Sequence, residues 1–150
     1  GLGAGLGMAL AEKMKKSDAR IYVVMGDGEI QEGAVWEAAA GAAKYRLDNL
    51  TAILDFNGVQ LDGTLEEIMP PGDLTKRWEA AGWNVVDCDG HQISQIIEAI
   101  RIAEECKEKP TIVIAKTIKG KGISFMEGRH QWHGKAINDE EFVRAMQELG

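Results

Sequence analysis

The stretch MGDGEIQEG, residues 25–33, constrains the fold of this chain more than any other. It follows a short run of β-forming residues, IYVV at 21–24, and it leads into a run of helix formers, VWEAAAGAAKY at 35–45. The two glycines of the GDG sequence therefore predict a tight turn from a strand into a helix. Turns of this kind, at the N-terminus of a helix, are where α/β proteins bind phosphate groups.

Strand and helix patterns alternate along the rest of the chain. Apolar runs predict strands at 20–25, 49–56, 83–88 and 111–117. Periodic or helix-forming segments predict helices at 1–16, 32–45, 73–81, 91–107 and 139–149. Continuous apolar strands are typical of a sheet that is covered on both sides. We therefore predict an α/β fold with a mostly parallel sheet, right-handed crossovers and helices on both faces.

Two glycine-containing segments each allow two interpretations. The first helix carries a row of small residues, Gly3, Gly7 and Ala11, which predicts close packing of another helix, with a subunit interface as one possible place. Its glycines do not form G-x-G-x-x-G, so no dinucleotide fingerprint is present. The segment NGVQLDG at 57–63 is predicted to be a loop, and Asn57-Gly58 as a hairpin turn is the alternative.

Composition excludes several classes of protein. With 150 residues, 45% of them hydrophobic, we expect one domain over residues 1–150. Because the chain opens inside a helical pattern, we expect that this domain lacks its N-terminal part. The net charge of -7 argues against nucleic-acid binding, and no apolar run approaches the roughly 20 residues of a membrane helix. Cys88 and Cys106 form neither a CxxC pair nor a zinc motif, which fits a reduced, cytoplasmic setting.

Asp27 and Asn57 stand just past the ends of two predicted strands, one strand-helix-strand unit apart. Because ligands of open parallel sheets bind at the carboxyl ends of the strands, we expect both side chains to face one crevice. Carboxylate and amide oxygens are hard ligands that suit Mg²⁺, with Ca²⁺ or Mn²⁺ as alternatives. Phosphate oxygens and water commonly complete such a site, so a diphosphate is the expected ligand.

The acidic residues after the GDG turn make a cation necessary at this site. Gly28 lets the backbone approach a phosphate, and the following helix adds free N–H donors. Glu29 and Glu32, however, place negative charge beside the expected anion. The positive charge of a metal would therefore have to offset both the phosphates and these carboxylates.

Five segments, taken in order, resemble the diphosphate domain of the transketolase family: GDGEIQEGAVWEAAAGAAKYRLDNL, NGVQLDG, DGH, KTIKGKGISFME and WHGKA. The resemblance covers residues 1–138 and is strongest to the split type, whose two halves are separate chains. It implies the thiamine-diphosphate-binding fold and transfer of a two-carbon ketol unit from a ketose phosphate to an aldose phosphate. It also implies a C-terminal partner chain with the pyrimidine-binding domain, in a homodimer or heterotetramer, and no nucleic acid or membrane as partner.

The resemblance assigns a diphosphate and metal site to residues around the two strand ends. It implies that Asp27 and Asn57 bind Mg²⁺ through their side chains and Val59 through its backbone carbonyl. Gly26 and Gly28 would contact the diphosphate of thiamine diphosphate. Glu29, between these glycines and the helix, is included among the cofactor-binding residues.

Three further residues receive roles from the resemblance. Glu32 and Glu37 match acidic residues that couple the two cofactors of a dimer, with a helix N-terminal charge and a solvated helix face as the respective alternatives. His133 matches a histidine beside the thiazolium ring and the donor sugar, where imidazole can move a proton or steady an oxyanion. His130 lies in the same loop, and only the glycine after position 133 favours His133 over it.

Several other residues keep two interpretations. His91 of the DGH segment is expected to cap the next helix rather than to reach the active site. Lys119 and Lys121 either attract a sugar phosphate or belong to a solvated loop. The tryptophans at 36, 78 and 83 fall on helix or strand core positions and are expected to serve packing.

The transketolase interpretation has two kinds of rival. Within the same cofactor class they are 1-deoxyxylulose-5-phosphate synthase and a 2-oxo acid dehydrogenase subunit, and GEIQEG and WHGKA favour transketolase over both. The other is a non-catalytic module that binds the cofactor or supports assembly. The family's upstream histidines and the glutamate that activates the aminopyrimidine have no counterpart here, so we expect no turnover by this chain alone.

Overall fold

The computed structural model describes residues 1–150, in which strands and helices alternate. The strands are β1 (Ile21–Gly26), β2 (Leu50–Phe56), β3 (Val59–Gln60), β4 (Gly63–Thr64), β5 (Asn84–Asp89) and β6 (Thr111–Lys116). The helices are α1 (Leu2–Met14), α2 (Gly33–Lys44), α3 (Leu65–Ile68), α4 (Leu74–Ala80), α5 (Ile93–Glu105) and α6 (Asp139–Leu149). Two short 3₁₀ turns, Glu29–Gln31 and His130–His133, complete the secondary structure.

Four of the strands form one parallel sheet in the order β1-β2-β6-β5. Ile21 pairs with Leu50, and Thr111 lies in register with Thr51 on one side and Asn84 on the other. The predicted α/β fold with a mostly parallel sheet is therefore confirmed. The shared register also brings the carboxyl ends of β1, β2 and β6 to one edge of the sheet.

Helices pack on both faces of the sheet, and they create cores of unequal size. On one face α1, α2 and α4 enclose a large apolar cluster that includes Leu54 of β2 and Ile112 of β6. On the other face α5 covers a small cluster around Cys88 and Val113. Most of the apolar surface removed from water, and hence most of the hydrophobic stabilisation, belongs to the first face.

Three tryptophans fill the larger core, as expected. Trp78 of α4 is fully buried between Trp36 and Trp83, with ring centroids 4.8 and 5.0 Å away. Nε1 of Trp83 donates a hydrogen bond of 3.0 Å to the carbonyl of Ala39 in α2. These contacts fix α4 and the start of β5 against α2.

The prediction that β1 is covered on both faces was wrong for this chain. Tyr22 and Val24 are 42% and 70% exposed, whereas Met25, which points to the other face, is buried. The reason is geometric, because α5 packs mainly over β5 and β6. It meets β1 near its own C-terminal end, where the hydroxyl of Tyr22 donates a hydrogen bond of 2.7 Å to Glu104. One face of the first strand is therefore open within these residues.

The small-residue row of α1 also behaves differently from the expectation. Gly3 and Gly7 have nothing within 4 Å of an added Cβ, and Ala11 is exposed. The close contact involves Gly5, where an added Cβ would collide with the side chain of Val23. Helical periodicity turns positions 2, 5 and 9 toward the sheet and the predicted row away from it, so no helix of this chain packs on that row.

The segment 57–63 is not a simple loop. Val59–Gln60 pairs antiparallel with Gly63–Thr64, so the chain reverses at 61–62 and not at Asn57-Gly58. Thr64 then begins α3 with a capping box, in which its side chain accepts from the amide of Glu67. Neither the loop nor the hairpin turn at Asn57-Gly58 was correct, because two-residue strands carry too little pattern to be recognised.

None of the helices combines the length and the apolar character that crossing a membrane requires.

Candidate functional site

A cleft of about 400 Å³ opens at the carboxyl edge of the sheet, and we call it the strand-end cleft. It is lined by residues at or just after the ends of β1 and β2, by the hairpin that begins with β3, and by residues after β6. Among them are the predicted cofactor, metal and catalytic residues Gly26, Asp27, Gly28, Glu29, Asn57, Val59 and His133. The structure thus brings together residues that are separated by more than a hundred positions in the sequence.

Asp27 is the most deeply buried ionisable group of the cleft, with only 2% of its surface exposed. Its Oδ2 accepts a hydrogen bond of 2.6 Å from the amide of Gly58. Burial raises the pKa of Asp27, while hydrogen bonds from the backbone of Gly58, Gly28 and Asn57 lower it, and the charge of Asp55 raises it further. No lysine or arginine pairs with it, so a bound cation would relieve the cost of this buried charge.

Asn57 is held by hydrogen bonds on both sides of its amide. Oδ1 accepts from the amide of Val59 over 3.0 Å, and Nδ2 donates to Oδ2 of Asp55 over 3.2 Å. The first contact is a local Asx turn, which leads the chain into β3. The amide oxygen has a second lone pair, so this arrangement leaves it able to bind a cation.

The residues of the cleft fit a cation with a diphosphate. The chain has no group of three or more His, Cys, Asp or Glu side chains placed to hold a metal. A cation here would therefore take a carboxylate, an amide oxygen, a backbone carbonyl, phosphate and water, which is the oxygen set that Mg²⁺ accepts. Nε2 of Gln60 is buried without a hydrogen-bond partner and offers a donor beside Gly28.

Gly28 is needed for space and not for its backbone conformation. Its φ of -68° suits any residue. An added Cβ, however, would lie 3.1 Å from Oε1 and 3.3 Å from Cβ of Gln60. The glycine therefore keeps the floor of the cleft low, where a phosphate would approach the start of the helical segment.

The loop after β6 delivers a lysine to the cleft. The amide of Thr117 donates to the carbonyl of Phe56 over 3.1 Å, and Nε2 of His91 accepts from the amide of Ile118 over 2.8 Å. Lys119, next in the chain, lines the cleft. Lys121 does not, and its Nζ lies 3.7 Å from Glu127.

The role expected for His91 was wrong. Gln92, and not His91, is the N-cap of α5, and no side chain makes a capping hydrogen bond there. The imidazole instead holds the loop after β6, because its Nε2 accepts the backbone hydrogen bond from Ile118. Sequence spacing could not reveal this contact, which joins two segments that are remote in the chain.

His133 and His130 occupy different places in one 3₁₀ turn. His133 lines the strand-end cleft, whereas His130 lines a separate groove with Arg129 and Gln131. The turn is anchored by Trp132, whose Nε1 donates to the carbonyl of Phe125 over 3.0 Å and whose ring lies under Lys135. The structure therefore places only one of the two histidines beside Asp27 and Asn57.

Glu32 and Glu37 lie outside the cleft. Both are exposed, Glu32 at the N-cap of α2 without a capping hydrogen bond and Glu37 within that helix. Glu29 alone of the three acids lines the cleft. The coupling roles of Glu32 and Glu37 stay predictions.

Three cleft residues were not predicted from the sequence, namely Asp55, Gln60 and Leu61. A signal existed for Asp55, because side chains two positions apart on a strand point to the same side, and Asn57 follows it by two. Gln60 and Leu61 had no such signal, since the hairpin that presents them was not predicted.

An open parallel sheet with an acid, an amide and a lysine at its carboxyl edge defines an α/β domain of the kind that binds ligands at the ends of its strands. Comparison with known protein families identifies the family within this class. The family described as transketolase, thiamine diphosphate binding domain, matches residues 2–150. The chain belongs to this family.

Individual relatives agree with the family match. The chain is 44% identical over 149 residues to an apulose-4-phosphate transketolase subunit of Phocaeicola vulgatus, covering 99% of this chain and 53% of that protein. It is 42% identical to a 6-deoxy-6-sulfo-D-fructose transketolase subunit of a Clostridium species, of which it covers 54%. Human transketolase is 42% identical, with 24% of its length covered. The chain thus spans about half the length of the first relatives it matches.

Solved structures show the same fold. The transketolase of Campylobacter jejuni superimposes with a TM-score of 0.93 at 31% identity, over 99% of this chain and 24% of that one. A transketolase of Pichia stipitis crystallised with fructose 6-phosphate gives 0.91 at 30% identity. The parallel sheet and its helices are therefore the architecture of the family.

Proposed function

We propose that this chain is the diphosphate-binding part of a transketolase that moves a two-carbon ketol unit from a ketose phosphate to an aldose phosphate. One observation carries the proposal: Asp27, Asn57, Val59 and His133 line a single cleft. Thiamine diphosphate, when bound, supplies the carbon that carries the ketol unit. The residues of this chain hold its diphosphate, neutralise charge and move a proton.

Metal binding is the first task of the cleft in this proposal. Asp27 and Asn57 hold Mg²⁺ by their side-chain oxygens, and Val59 does so by its carbonyl, with Ca²⁺ or Mn²⁺ as substitutes. Desolvation of Asp27 supports the assignment, because a buried carboxylate without a basic partner gains most from a cation. Gly26, Gly28 and Glu29 border the diphosphate, and Lys119 adds positive charge.

Proton movement is the task of His133. Its imidazole faces the cleft, where it donates to or accepts from the oxygens of the sugar that reacts there. Imidazole suits both directions near neutral pH. His130, in the separate groove, has no such role in the proposal.

The remaining parts of the proposal concern assembly. A C-terminal chain with a pyrimidine-binding domain completes each site, and two copies of each chain form a heterotetramer in which Glu32 and Glu37 couple the two cofactors. Both glutamates are exposed, which leaves them available for such a contact. The proposal includes a cytoplasmic setting, which the two unpaired cysteines fit. It also includes a place in carbohydrate metabolism, with sugars of the pentose phosphate pathway as substrates.

The test uses the complete protein that contains this chain, together with the pyrimidine-domain partner, thiamine diphosphate and Mg²⁺. Transfer from xylulose 5-phosphate to ribose 5-phosphate is followed by a coupled assay of the released triose phosphate. We expect transfer by the wild type, and a fall in kcat of about 100-fold or more for His133→Ala with unchanged cofactor affinity. His130→Ala is the matched control and should keep its kcat.

A complex that binds the cofactor but transfers no ketol unit from any sugar phosphate contradicts the proposal. Equal losses in His130→Ala and His133→Ala contradict the assignment of the histidine alone.

A further inference from the structure

Asp55 has both carboxylate oxygens engaged by neutral donors at the end of β2. Oδ2 accepts from Nδ2 of Asn57 over 3.2 Å, and Oδ1 accepts from the hydroxyl of Thr117. No lysine or arginine forms an ion pair with it. The two contacts of Asp55 therefore hold neutral groups in place without neutralising its charge.

The first contact fixes the orientation of the Asn57 amide. A carboxylate accepts hydrogen bonds and cannot donate them, so the group that faces Asp55 must be the NH₂. The oxygen then points to the other side, where it meets the amide of Val59 at 3.0 Å. With Asp55 removed, the amide of Val59 is the one contact left to oppose a half-turn that exchanges NH₂ and oxygen. An NH₂ cannot bind a cation, so this weaker hold lowers the fraction of Asn57 that is oriented for a metal.

The second contact fixes Asp55 itself. Thr117 extends β6 by one residue beside the end of β2, and its amide donates to the carbonyl of Phe56 over 3.1 Å. The hydroxyl of Thr117 is therefore held against Oδ1 of Asp55 by the sheet. The side chains of Thr117, Asp55 and Asn57 are therefore linked in series by two hydrogen bonds.

We propose that Asp55 is a positioning residue that presents the amide oxygen of Asn57 to a divalent cation, with Thr117 holding Asp55 in turn. The inference rests on the proposed metal site at Asp27, Asn57 and Val59 and adds two residues outside its coordination sphere. Outer-shell hydrogen bonds of this kind change metal affinity by about 10- to 100-fold when they are lost.

The test measures Mg²⁺ affinity by titration calorimetry, with saturating thiamine diphosphate, in the complete protein assembled with its pyrimidine-domain partner. Asp55→Ala should raise the Kd for Mg²⁺ by about 10- to 100-fold. It should also raise the Mg²⁺ concentration for half-maximal activity while kcat at saturating Mg²⁺ stays within about threefold. The thermal midpoint of the metal-free protein is recorded beside each affinity.

Asp55→Asn separates orientation from charge. The new amide can accept from Asn57 with its oxygen and donate to the hydroxyl of Thr117 with its NH₂, so both contacts survive without the charge. We expect Mg²⁺ affinity within about threefold of the wild type. If Asp55→Asn loses as much affinity as Asp55→Ala, the carboxylate acts through its charge and the proposal is overturned.

Thr117→Val and Thr117→Ser form the second matched pair. Both keep the backbone bond to Phe56, and only the valine removes the hydroxyl that holds Asp55. Weaker Mg²⁺ binding in Thr117→Val alone supports the proposal, and equal affinity in the two variants overturns its second part.

Two further outcomes are distinguishable. If Asp55→Ala lowers only the thermal midpoint and leaves the Kd unchanged, its role is structural and the inference fails. If the wild type itself binds no Mg²⁺ with the cofactor, the metal site fails first, whatever the variants do.

Discussion

Oδ2 of Asp27 lies 2.6 Å from the amide nitrogen of Gly58, and this hydrogen bond ties the turn after β1 to the turn after β2. The carboxylate is thereby fixed in the wall of the strand-end cleft, although burial raises its pKa and opposes its charge. The buried charge of Asp27 is unfavourable in the metal-free protein and becomes favourable when a cation binds beside it.

Replacing Asp27 should separate metal binding from folding. Asp27→Asn keeps an oxygen for the amide of Gly58 but removes the charge, so we expect thiamine diphosphate affinity in Mg²⁺ to fall by about 100-fold or more. Asp62→Asn, an exposed carboxylate on the nearby hairpin, is the control and should bind normally. Quenching of tryptophan fluorescence measures both affinities, and similar values for the two variants contradict the metal assignment.

A methyl group at position 28 should obstruct the cofactor. Gly28→Ala would place Cβ 3.1 Å from Oε1 of Gln60, at the floor of the cleft. Its φ is compatible with alanine, so the fold should persist while cofactor affinity falls by about tenfold, equal to about 1.4 kcal/mol. Gly33→Ala is the matched control, because nothing lies within 4 Å of its added Cβ. Calorimetry on both variants tests the difference, and equal affinities would count against a phosphate beside Gly28.

The two lysines of the loop after β6 should differ in their effect on binding. Lys119 lines the cleft and Lys121 faces Glu127, so Lys119→Gln should weaken binding of inorganic pyrophosphate with Mg²⁺ by about tenfold, and Lys121→Gln should not. Because the effect is electrostatic, the difference should shrink as salt is added. A larger loss in Lys121→Gln would reverse the assignment.

Replacing Trp78 or Trp83 by phenylalanine should destabilise the protein to different degrees, because only one of the two indole N–H groups has a hydrogen-bond partner. Nε1 of Trp83 donates to Ala39, whereas Nε1 of Trp78 is buried without a partner. Trp83→Phe loses a hydrogen bond, and Trp78→Phe removes an unsatisfied donor. The free energy of unfolding should therefore fall about 1 kcal/mol more in Trp83→Phe than in Trp78→Phe. Urea unfolding measures both values, and the opposite order is the contradicting result.

The two cysteines should react with alkylating reagents at different rates, because Cys88 is buried and Cys106 is less so. Burial raises the pKa of the Cys88 thiol above that of a free cysteine, and the charges of Asp87 and Asp89 raise it further. The reactive thiolate is therefore scarce at neutral pH and increases only as pH rises through the elevated pKa. With iodoacetamide at mildly alkaline pH, we expect alkylation of the less buried Cys106 first. Peptide mass spectrometry compares the two rates, which would be equal if burial had no effect.

Long periodic segments account for what the sequence predicted well. The helix expected at 139–149 is found at Asp139–Leu149, and the strand expected at 49–56 is Leu50–Phe56. The α4 start at Asp73 was also correct, because its side chain accepts from the amide of Lys76. Each of these signals is local, so no knowledge of the rest of the fold was needed.

Contacts between distant segments account for what was missed. Asp55 contacts Thr117 only because β2 and β6 are neighbours in the sheet. The residue pattern of a single strand does not reveal which strands will lie beside it. His91 likewise meets Ile118 across a connection of α5 and β6. The strand-end position of Asp27 and Asn57 could be predicted, whereas the side chains that hold Asn57 could not.

The edge of the parallel sheet opposite the cleft offers a position for attaching a label. The cleft lies at the carboxyl ends of the strands, and strands of six or seven residues separate it by about 20 Å from the opposite edge. At that edge Arg46 and Glu108 form an exposed ion pair of 3.0 Å, which contributes little to stability. A dye or a surface tether attached at position 108 would leave the cleft open, so cofactor binding could be followed on immobilised protein.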